Sequence, residues 1–197
     1  MNRTNDPAAI GALFVVGIGG TTREGSSTDR ALRVSLRAAE EAGARTHIFT
    51  GPFLARLPHF APDHPARSEE QREFVETVRQ ADGVILASPG YHGGISGLVK
   101  NALDLLEDLR GDARSYLDGR AVGCIAAAAG WQASVTTLES LRAIVHALRG
   151  WPTPLGAAIN TTEPNFDPAG ACTNPKTLDT LVTVGRQVVD FACRYRR

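Results

Sequence analysis

The chain has 197 residues, of which 43% are apolar, enough for a single domain with a sizeable core. Its 21 basic and 21 acidic residues balance, so composition excludes a charged surface for nucleic acid or an anionic membrane. The polar start of the chain does not resemble a signal peptide, and no apolar run approaches the ~20 residues that span a bilayer. Three scattered cysteines without metal or disulfide spacing fit a reducing compartment. We therefore expect a cytoplasmic protein with a disordered lead over residues 1–10 and one domain over residues 11–197.

Strand-like and helix-like segments alternate from the start of this domain. Residues 13–18 form a continuous apolar run, which is typical of a parallel strand buried on both faces. Residues 28–42 are rich in Ala, Leu and Arg and predict a helix that ends at Gly43. A short strand over residues 46–49 follows, and then a proline-rich loop over residues 50–67.

The second part of the chain continues the alternation. We predict a helix from residue 68, a strand over 83–88, a helix over 98–109, a strand over 121–128, a helix over 135–148, a short strand over 155–159 and a closing helix over 178–192. Five strands that alternate with five helices favour an α/β fold with a doubly wound parallel sheet and helices on both faces.

A glycine- and hydroxyl-rich loop over residues 19–28 follows the first predicted strand. It lacks the last glycine of the dinucleotide fingerprint, since Thr22 stands there, and no acidic residue closes the second strand. Ser26 also occupies the position of the P-loop lysine, which excludes a nucleotide triphosphatase site. The remaining interpretation is a helix N-terminus that binds a phosphate monoester, with Arg23 as its one cation. A tight turn with an ordinary helix cap is the alternative.

A second loop follows the third predicted strand. The apolar run over residues 84–87 ends in Ser-Pro-Gly, and then come Tyr91 and three glycines within five residues. Such a loop leaves backbone groups open beside a flat side chain, as needed to hold the edge of a planar heterocycle. Both loops would meet at the switch point of a flavodoxin-like strand order, 2-1-3-4-5. Together they indicate a mononucleotide site with flavin as the leading candidate, although Tyr91 and His92 could also be an ordinary exposed pair.

Other polar residues attract structural interpretations. The segment over residues 59–64 contains two histidines, but three prolines within or directly beside it (Pro58, Pro62 and Pro65) and the absence of a nearby thiol argue against a metal site. Cys124 falls inside an alanine-rich strand, where a small buried side chain is expected. The eighteen-residue loop over 50–67 is long enough to be functional. We expect its first half to pack on the domain and its histidine-containing tip to lie near the acceptor site or a neighbouring subunit. A plain surface excursion is the alternative.

Three segments match motifs of one family. Residues 20–26, G-T-T-R-E-G-S, correspond to a G-S-x-R-x-x-S phosphate loop. Residues 89–104, P-G-Y-H-G-G-I-S-G-L-V-K-N-A-L-D, correspond to P-E-Y-N-x-S-x-P-G-x-L-K-N-A-x-D, and residues 81–84 match an A-D-G-hydrophobic entry to the third strand. Through these motifs the chain resembles the NADPH-dependent FMN reductase family of flavodoxin-like proteins along nearly its whole length.

The resemblance implies a set of FMN-binding residues. The phosphate would be held by Thr21, Arg23, Ser26, Ser27 and Thr28, and the ring would lie along Pro89, Gly90, Tyr91, His92 and Gly93. Gly130 belongs to a less exact match, where relatives carry a glycine-rich loop after the fourth strand. The chain departs from the family where the glutamate is Gly90, the asparagine is His92, and a serine and a proline are Gly94 and Ser96.

The resemblance also implies an activity. Hydride would pass from NADPH or NADH onto FMN, and electrons would pass on to free flavin, a quinone or a similar small acceptor, with no catalytic side chain and no metal. The alternatives are a flavodoxin-type electron-transfer protein, against which the balanced charge argues, a component that supplies reduced FMN to a separate monooxygenase, and a flavin-binding sensor. A homodimer or homotetramer with flavin near a subunit boundary is implied as well, with Trp131 in the contact or, alternatively, folded over its own core. The acceptor and the choice between NADH and NADPH stay open.

Overall fold

A computed structural model of the chain describes residues 13–195. The lead predicted over residues 1–10 lies outside the described residues, as do residues 11–12 and 196–197.

The described residues surround one mainly parallel sheet. Its strands are β1 (Phe14–Gly19), β2 (Arg45–Phe49), β3 (Gly83–Tyr91), β4 (Gly94–Ile95), β5 (Ala121–Ala128), β6 (Trp151–Pro152) and β7 (Ala157–Asn160). The order is β2-β1-β3-β5, and the far edge is shared by β6 and β7, which pair in parallel with successive parts of β5. Since β5 and β7 are the fourth and fifth predicted strands, the order 2-1-3-4-5 is confirmed.

Two short strands were not predicted. β4 pairs antiparallel with the end of β3, so β3 runs three residues beyond its predicted end and turns back as a hairpin. β6 contains Pro152 and is followed by Pro154, and neither residue can donate a backbone hydrogen bond. The edge of the sheet is therefore split between β6 and β7.

The helices are α1 (Ser27–Glu41), α2 (Gly51–Leu54), α3 (Glu69–Gln80), α4 (Gly97–Asp104), α5 (Trp131–Ala147) and α6 (Pro175–Tyr195), with a 3-10 helix (Leu105–Leu109) after α4. The prediction of no regular structure between residues 50 and 67 is wrong for α2. Its Pro52 lies in the first turn, where a missing N–H costs nothing, and burial of Leu54 holds the turn on the core.

Helices cover both faces of the sheet, as predicted. On one face α1 and α6 pack on Val15 and Ile85, whereas on the other face α3, α4 and α5 pack on Val16 and Ile18. Successive residues of β1 thus enter opposite cores, which explains its uninterrupted apolar run. Within residues 13–195 no helix is both long and apolar enough to cross a membrane.

Candidate functional site

A cleft of about 330 Å³ opens at the edge of the sheet where β1, β3, β5 and β7 end. Eight of the eleven predicted binding residues line it, namely Thr21, Arg23, Ser26, Ser27, Thr28, Pro89, Gly90 and Tyr91. The other lining residues are Ala127, Ala128, Ala129 and Thr161. The fold therefore brings the two loops into one concave site at the switch point between β1 and β3.

The first loop leads directly into α1. Ser26 is the N-cap of this helix, and its hydroxyl accepts a hydrogen bond from the Asp29 N–H at 3.2 Å. The first N–H groups of a helix lack intrahelical partners, so the cleft receives donors and the positive end of the helix dipole. Arg23 is exposed at the rim, and its guanidinium has no partner among residues 13–195. These groups suit a phosphate monoester.

The position of this loop is fixed by contacts that sequence reasoning missed. The Gly20 N–H donates to the Ala87 carbonyl of β3 at 3.1 Å, and the Ser96 hydroxyl donates to the Gly20 carbonyl at 3.0 Å. Gly51 lies so close to the loop that a Cβ there would come within 1.7 Å of the Thr21 carbonyl oxygen. The only signal in the sequence for this contact is a Gly-Pro pair just after the second strand.

The second loop is an extension of β3 and a tight turn. Tyr91 pairs with Gly94, and His92 and Gly93 form the two-residue turn with φ values of 50° and 84°. Positive φ at both positions is typical of a type I′ hairpin. His92 and Gly93 are exposed at its tip and do not line the cleft, whereas the base of the hairpin is closed by the Ser96 N–H, which donates to the Ser88 hydroxyl at 2.9 Å.

Gly90 forms a bare part of the cleft floor. A Cβ at this position would lie 2.4 Å from the Thr137 Oγ1 of α5 and 2.9 Å from the Ala128 Cβ. A side chain is therefore excluded by the close approach of α5, which accounts for the missing family glutamate. Arg23 is the only lining residue that carries a formal charge, so the floor, which consists of strand backbone and alanine methyl groups, is uncharged.

Gly130 lies beside the cleft without lining it. It is the N-cap of α5 with a φ of 101°, and its N–H donates to the Asn160 Oδ1 at 2.8 Å. The Glu163 carboxylate accepts from both the Asn160 amide at 3.1 Å and the Trp131 indole N–H at 2.8 Å. Asn160 thus fixes the loop that carries Ala129 into the cleft, a role the sequence did not reveal.

The two histidines of the long loop and Cys124 do not line the cleft. Phe60 and Leu57 pack on the core, and the Phe60 N–H donates to the Asn101 Oδ1 at 2.8 Å, which confirms that the first half of the long loop packs on the domain. His59 and His64 are exposed and do not line the cleft. Burial raises the pKa of Cys124 to about 12, so its thiol stays neutral, in agreement with a structural role.

At the N-terminus of α1 the cleft presents anion-binding groups. Next to them lies a flat neutral floor of strand backbone and alanine methyl groups. This sequence of environments fits a planar heterocycle that carries a phosphate monoester. The backbone of Gly90 belongs to this floor, and the close approach of α5 behind it leaves no room for a side chain at that position.

The names of known proteins that resemble this chain refer to FMN or to flavin. The chain is 35% identical to the FMN-dependent NADPH-azoreductase of Staphylococcus haemolyticus over 92 residues, covering 47% of this chain and 45% of the relative. It is 31% identical to an iron-sulfur flavoprotein of Archaeoglobus fulgidus over 99 residues, covering 46% and 49%. These matches span about half the length of the curated relatives.

A solved structure with the same fold is the flavoenzyme NAD(P)H:(acceptor) oxidoreductase FerB from Paracoccus denitrificans. It superposes with a TM-score of 0.75 at 20% identity, covering 93% of this chain and 98% of that chain. The sequence model for NADPH-dependent FMN reductases matches residues 14–163, well over half of the chain. The chain therefore belongs to the NADPH-dependent FMN reductase family.

Proposed function

We propose that the protein is an NAD(P)H-dependent oxidoreductase that holds FMN in the cleft and reduces a small acceptor. The observation that carries the proposal is the cleft itself, in which a helix N-terminus and a flat neutral floor adjoin at the switch point of the sheet. The names of the relatives, which include FMN-dependent NADPH-azoreductases and a flavoprotein, support the same cofactor.

Each side of the cleft has its own task in this proposal. The hydroxyls of Thr21, Ser27 and Thr28, the first N–H groups of α1 and the Arg23 guanidinium would hold the phosphate. Gly90 and Tyr91 would support the ring on one side, and the Ala129–Gly130 turn would border it on another. When bound, FMN supplies the redox chemistry by taking a hydride from reduced nicotinamide and passing two electrons to the acceptor.

The protein itself would therefore position the cofactor and provide the electrostatic environment of the cleft. No carboxylate lines the cleft, so the floor does not oppose negative charge, whereas the α1 dipole and Arg23 favour it. The exposed Tyr91 leaves one side of the cleft open to solvent, where a nicotinamide and then an acceptor could exchange by a ping-pong sequence. Candidate acceptors are free flavin, a quinone and, from the names of the relatives, an azo compound.

The test is a titration of the FMN-loaded protein in the absence of oxygen. NADPH or NADH should bleach the visible flavin absorbance, and one equivalent of a two-electron acceptor should restore it. Failure of both nicotinamides to bleach a fully loaded protein would contradict the proposal. Bleaching followed by release of free reduced FMN, measured after rapid filtration, would instead favour a flavin reductase that supplies a separate monooxygenase.

A further inference from the structure

Ser96 is hydrogen bonded to both loops of the cleft, although it does not line the cleft itself. Its hydroxyl donates to the Gly20 carbonyl at 3.0 Å, in the first loop. Its backbone N–H donates to the Ser88 hydroxyl at 2.9 Å, and that hydroxyl donates in turn to the Pro89 carbonyl at 2.9 Å. One residue thus joins the phosphate side of the cleft to the end of β3, which forms part of the floor.

The groups that make this link are buried. Ser96 and Ser88 have only 3% and 0% of their surface exposed. Gly20 packs so closely on the start of α4 that a Cβ there would lie 2.1 Å from the Val99 Cγ2 and 2.9 Å from the Ser96 Oγ. A buried polar group that loses its partner finds no water to replace it, so these bonds are costly to break. A displacement of the first loop at Gly20 therefore has to be followed by Ser96.

Ser96 also forms the end of the hairpin between β3 and β4. It directly follows β4 and is the N-cap of α4, where its hydroxyl accepts a hydrogen bond from the Val99 N–H at 3.3 Å. The turn of the hairpin, by contrast, is exposed at Tyr91, His92 and Gly93. Exposed segments with few buried contacts open most easily, so the order of the turn depends on the anchor at its base.

The link distinguishes this chain from the family motif, which has a proline at position 96. Proline has neither an N–H nor a hydroxyl, so it can make neither of the two bonds. Ser96 has a φ of −65°, which proline also adopts, so the backbone conformation does not by itself require a serine here. The serine therefore adds a connection between the two loops that the family motif lacks.

We propose that Ser96 is a positioning residue that couples the two ends of the cleft, so that an anion held by the first loop orders the hairpin for a planar ring. The proposal rests on the proposed function, since it requires a phosphate at one end and a ring at the other. Once the first ligand has ordered the link, the second ligand no longer has to supply that entropy. Coupling of this kind is reciprocal. Inorganic phosphate and riboflavin, which together make up FMN, should therefore bind cooperatively as separate probes.

The test is a fluorescence titration of the cofactor-free protein with riboflavin, with and without saturating inorganic phosphate at constant ionic strength. Phosphate should lower the Kd of riboflavin roughly three- to tenfold in the unaltered protein, the factor that one net hydrogen bond accounts for. Ser96→Ala removes the bond to Gly20, and Ser96→Pro removes both bonds while it keeps the φ of −65°. Either variant should reduce the factor to about one.

Ser68→Ala is the matched control for the loss of a helix cap. Ser68 is the N-cap of α3, where its hydroxyl accepts from the Gln71 N–H at 3.2 Å, and it does not line the cleft. This variant should keep the full effect of phosphate on riboflavin. Loss of the effect in Ser68→Ala, or an equal effect in the unaltered protein and the Ser96 variants, would overturn the inference.

Hydrogen–deuterium exchange measures the coupling without any flavin. Phosphate alone should slow the exchange of the backbone amides of residues 91–95 severalfold in the unaltered protein and should not slow it in the Ser96 variants. No slowing in the unaltered protein would overturn the inference, whether or not the variants fold and even if a nicotinamide bleaches the FMN-loaded protein. Failure of the cofactor-free protein to bind either FMN or riboflavin would contradict the proposed function instead.

Discussion

Arg23 is the residue at which cofactor binding can be tested most directly. It is the only charged residue lining the cleft, and its side chain makes no hydrogen bond or ion pair within residues 13–195 that its removal would break. We expect Arg23→Ala to weaken FMN roughly ten- to a hundredfold, because a charge-assisted bond to phosphate is lost. Riboflavin, which has no phosphate, should bind as before. Flavin fluorescence titrations of the cofactor-free protein measure both affinities, and equal losses would remove Arg23 from the phosphate site.

Gly90 and Thr137 provide a second test at the same scale. The Cβ of Gly90→Ala would collide with the Thr137 Oγ1, so the end of β3 must shift. We expect this variant to lose about 1–3 kcal/mol of unfolding free energy and to bind FMN more weakly. Thr137→Ala by itself should cost less than a usual buried hydroxyl, since its Oγ1 is the one buried side-chain N or O atom without a partner in the described part of the chain.

The double variant Gly90→Ala with Thr137→Ala should recover part of the loss, because the colliding oxygen is gone whereas the Ala128 Cβ stays 2.9 Å from the new Cβ. Urea unfolding of the four proteins gives the coupling free energy between the two positions. Strictly additive effects would show that α5 does not determine the empty position at residue 90.

The hairpin between β3 and β4 can be tested as an element. Neither Gly93 nor Gly94 has any atom within 4 Å of a built Cβ, but only Gly93 has a positive φ, 84°. We expect Gly93→Val to strain the turn by about 1–2 kcal/mol and to weaken the binding of FMN, because Gly90 and Tyr91, which line the cleft, directly precede the turn. Gly94→Val, the matched control, should leave FMN affinity nearly unchanged. Similar affinities for both variants would separate the turn from the ring site.

Elements buried on both faces could be predicted from the sequence, and elements defined by their partners could not. β1, β3 and β5 are continuous apolar runs whose residues alternate between two cores, so their pattern is local. β6 has two residues, Trp151 and Pro152, and exists only because β5 offers it a pairing edge. α2 is a single turn inside a proline-rich stretch, and its packing depends on Leu54 reaching the core.

The candidate site follows the same division. The hydroxyl and glycine residues of the first loop are adjacent in sequence, so their pattern predicted their place in the cleft. Gly51 and Asn160 act on residues thirty positions away, Thr21 and Gly130 respectively, and only the register of the strands brings them together. The family resemblance implies that His92 and Gly93 border the ring, whereas the pairing of Tyr91 with Gly94 places both at the exposed tip of a hairpin, a pairing that leaves no signal in the sequence.

At the scale of the whole molecule, the cleft lies beside an exposed apolar surface. The Trp131 side chain is 53% exposed and Val135, one turn further along α5, is 46% exposed. The indole N–H is held by Glu163, so the ring is presented outward and does not fold over its own core. A tryptophan that is fixed in this way is a typical anchor of a protein interface. The Ala129–Gly130 turn, which directly precedes Trp131, borders the cleft.

We therefore expect the protein to form a homodimer, or a tetramer built from such dimers, through the Trp131 surface. Trp131→Ala should weaken the dimer by about 2 kcal/mol or more, roughly thirtyfold in dissociation constant, because a buried anchor would be lost. Trp151→Ala is the matched control, since Trp151 is 51% exposed at the β6 edge and packs only on Phe191 and Tyr195 among the aromatic rings of the described residues. Light scattering across micromolar concentrations measures each mass, and FMN titration verifies that both variants keep the fold. A monomeric unaltered protein would refute the assembly, and dissociation caused by Trp151→Ala instead would move the contact to the opposite end of the sheet.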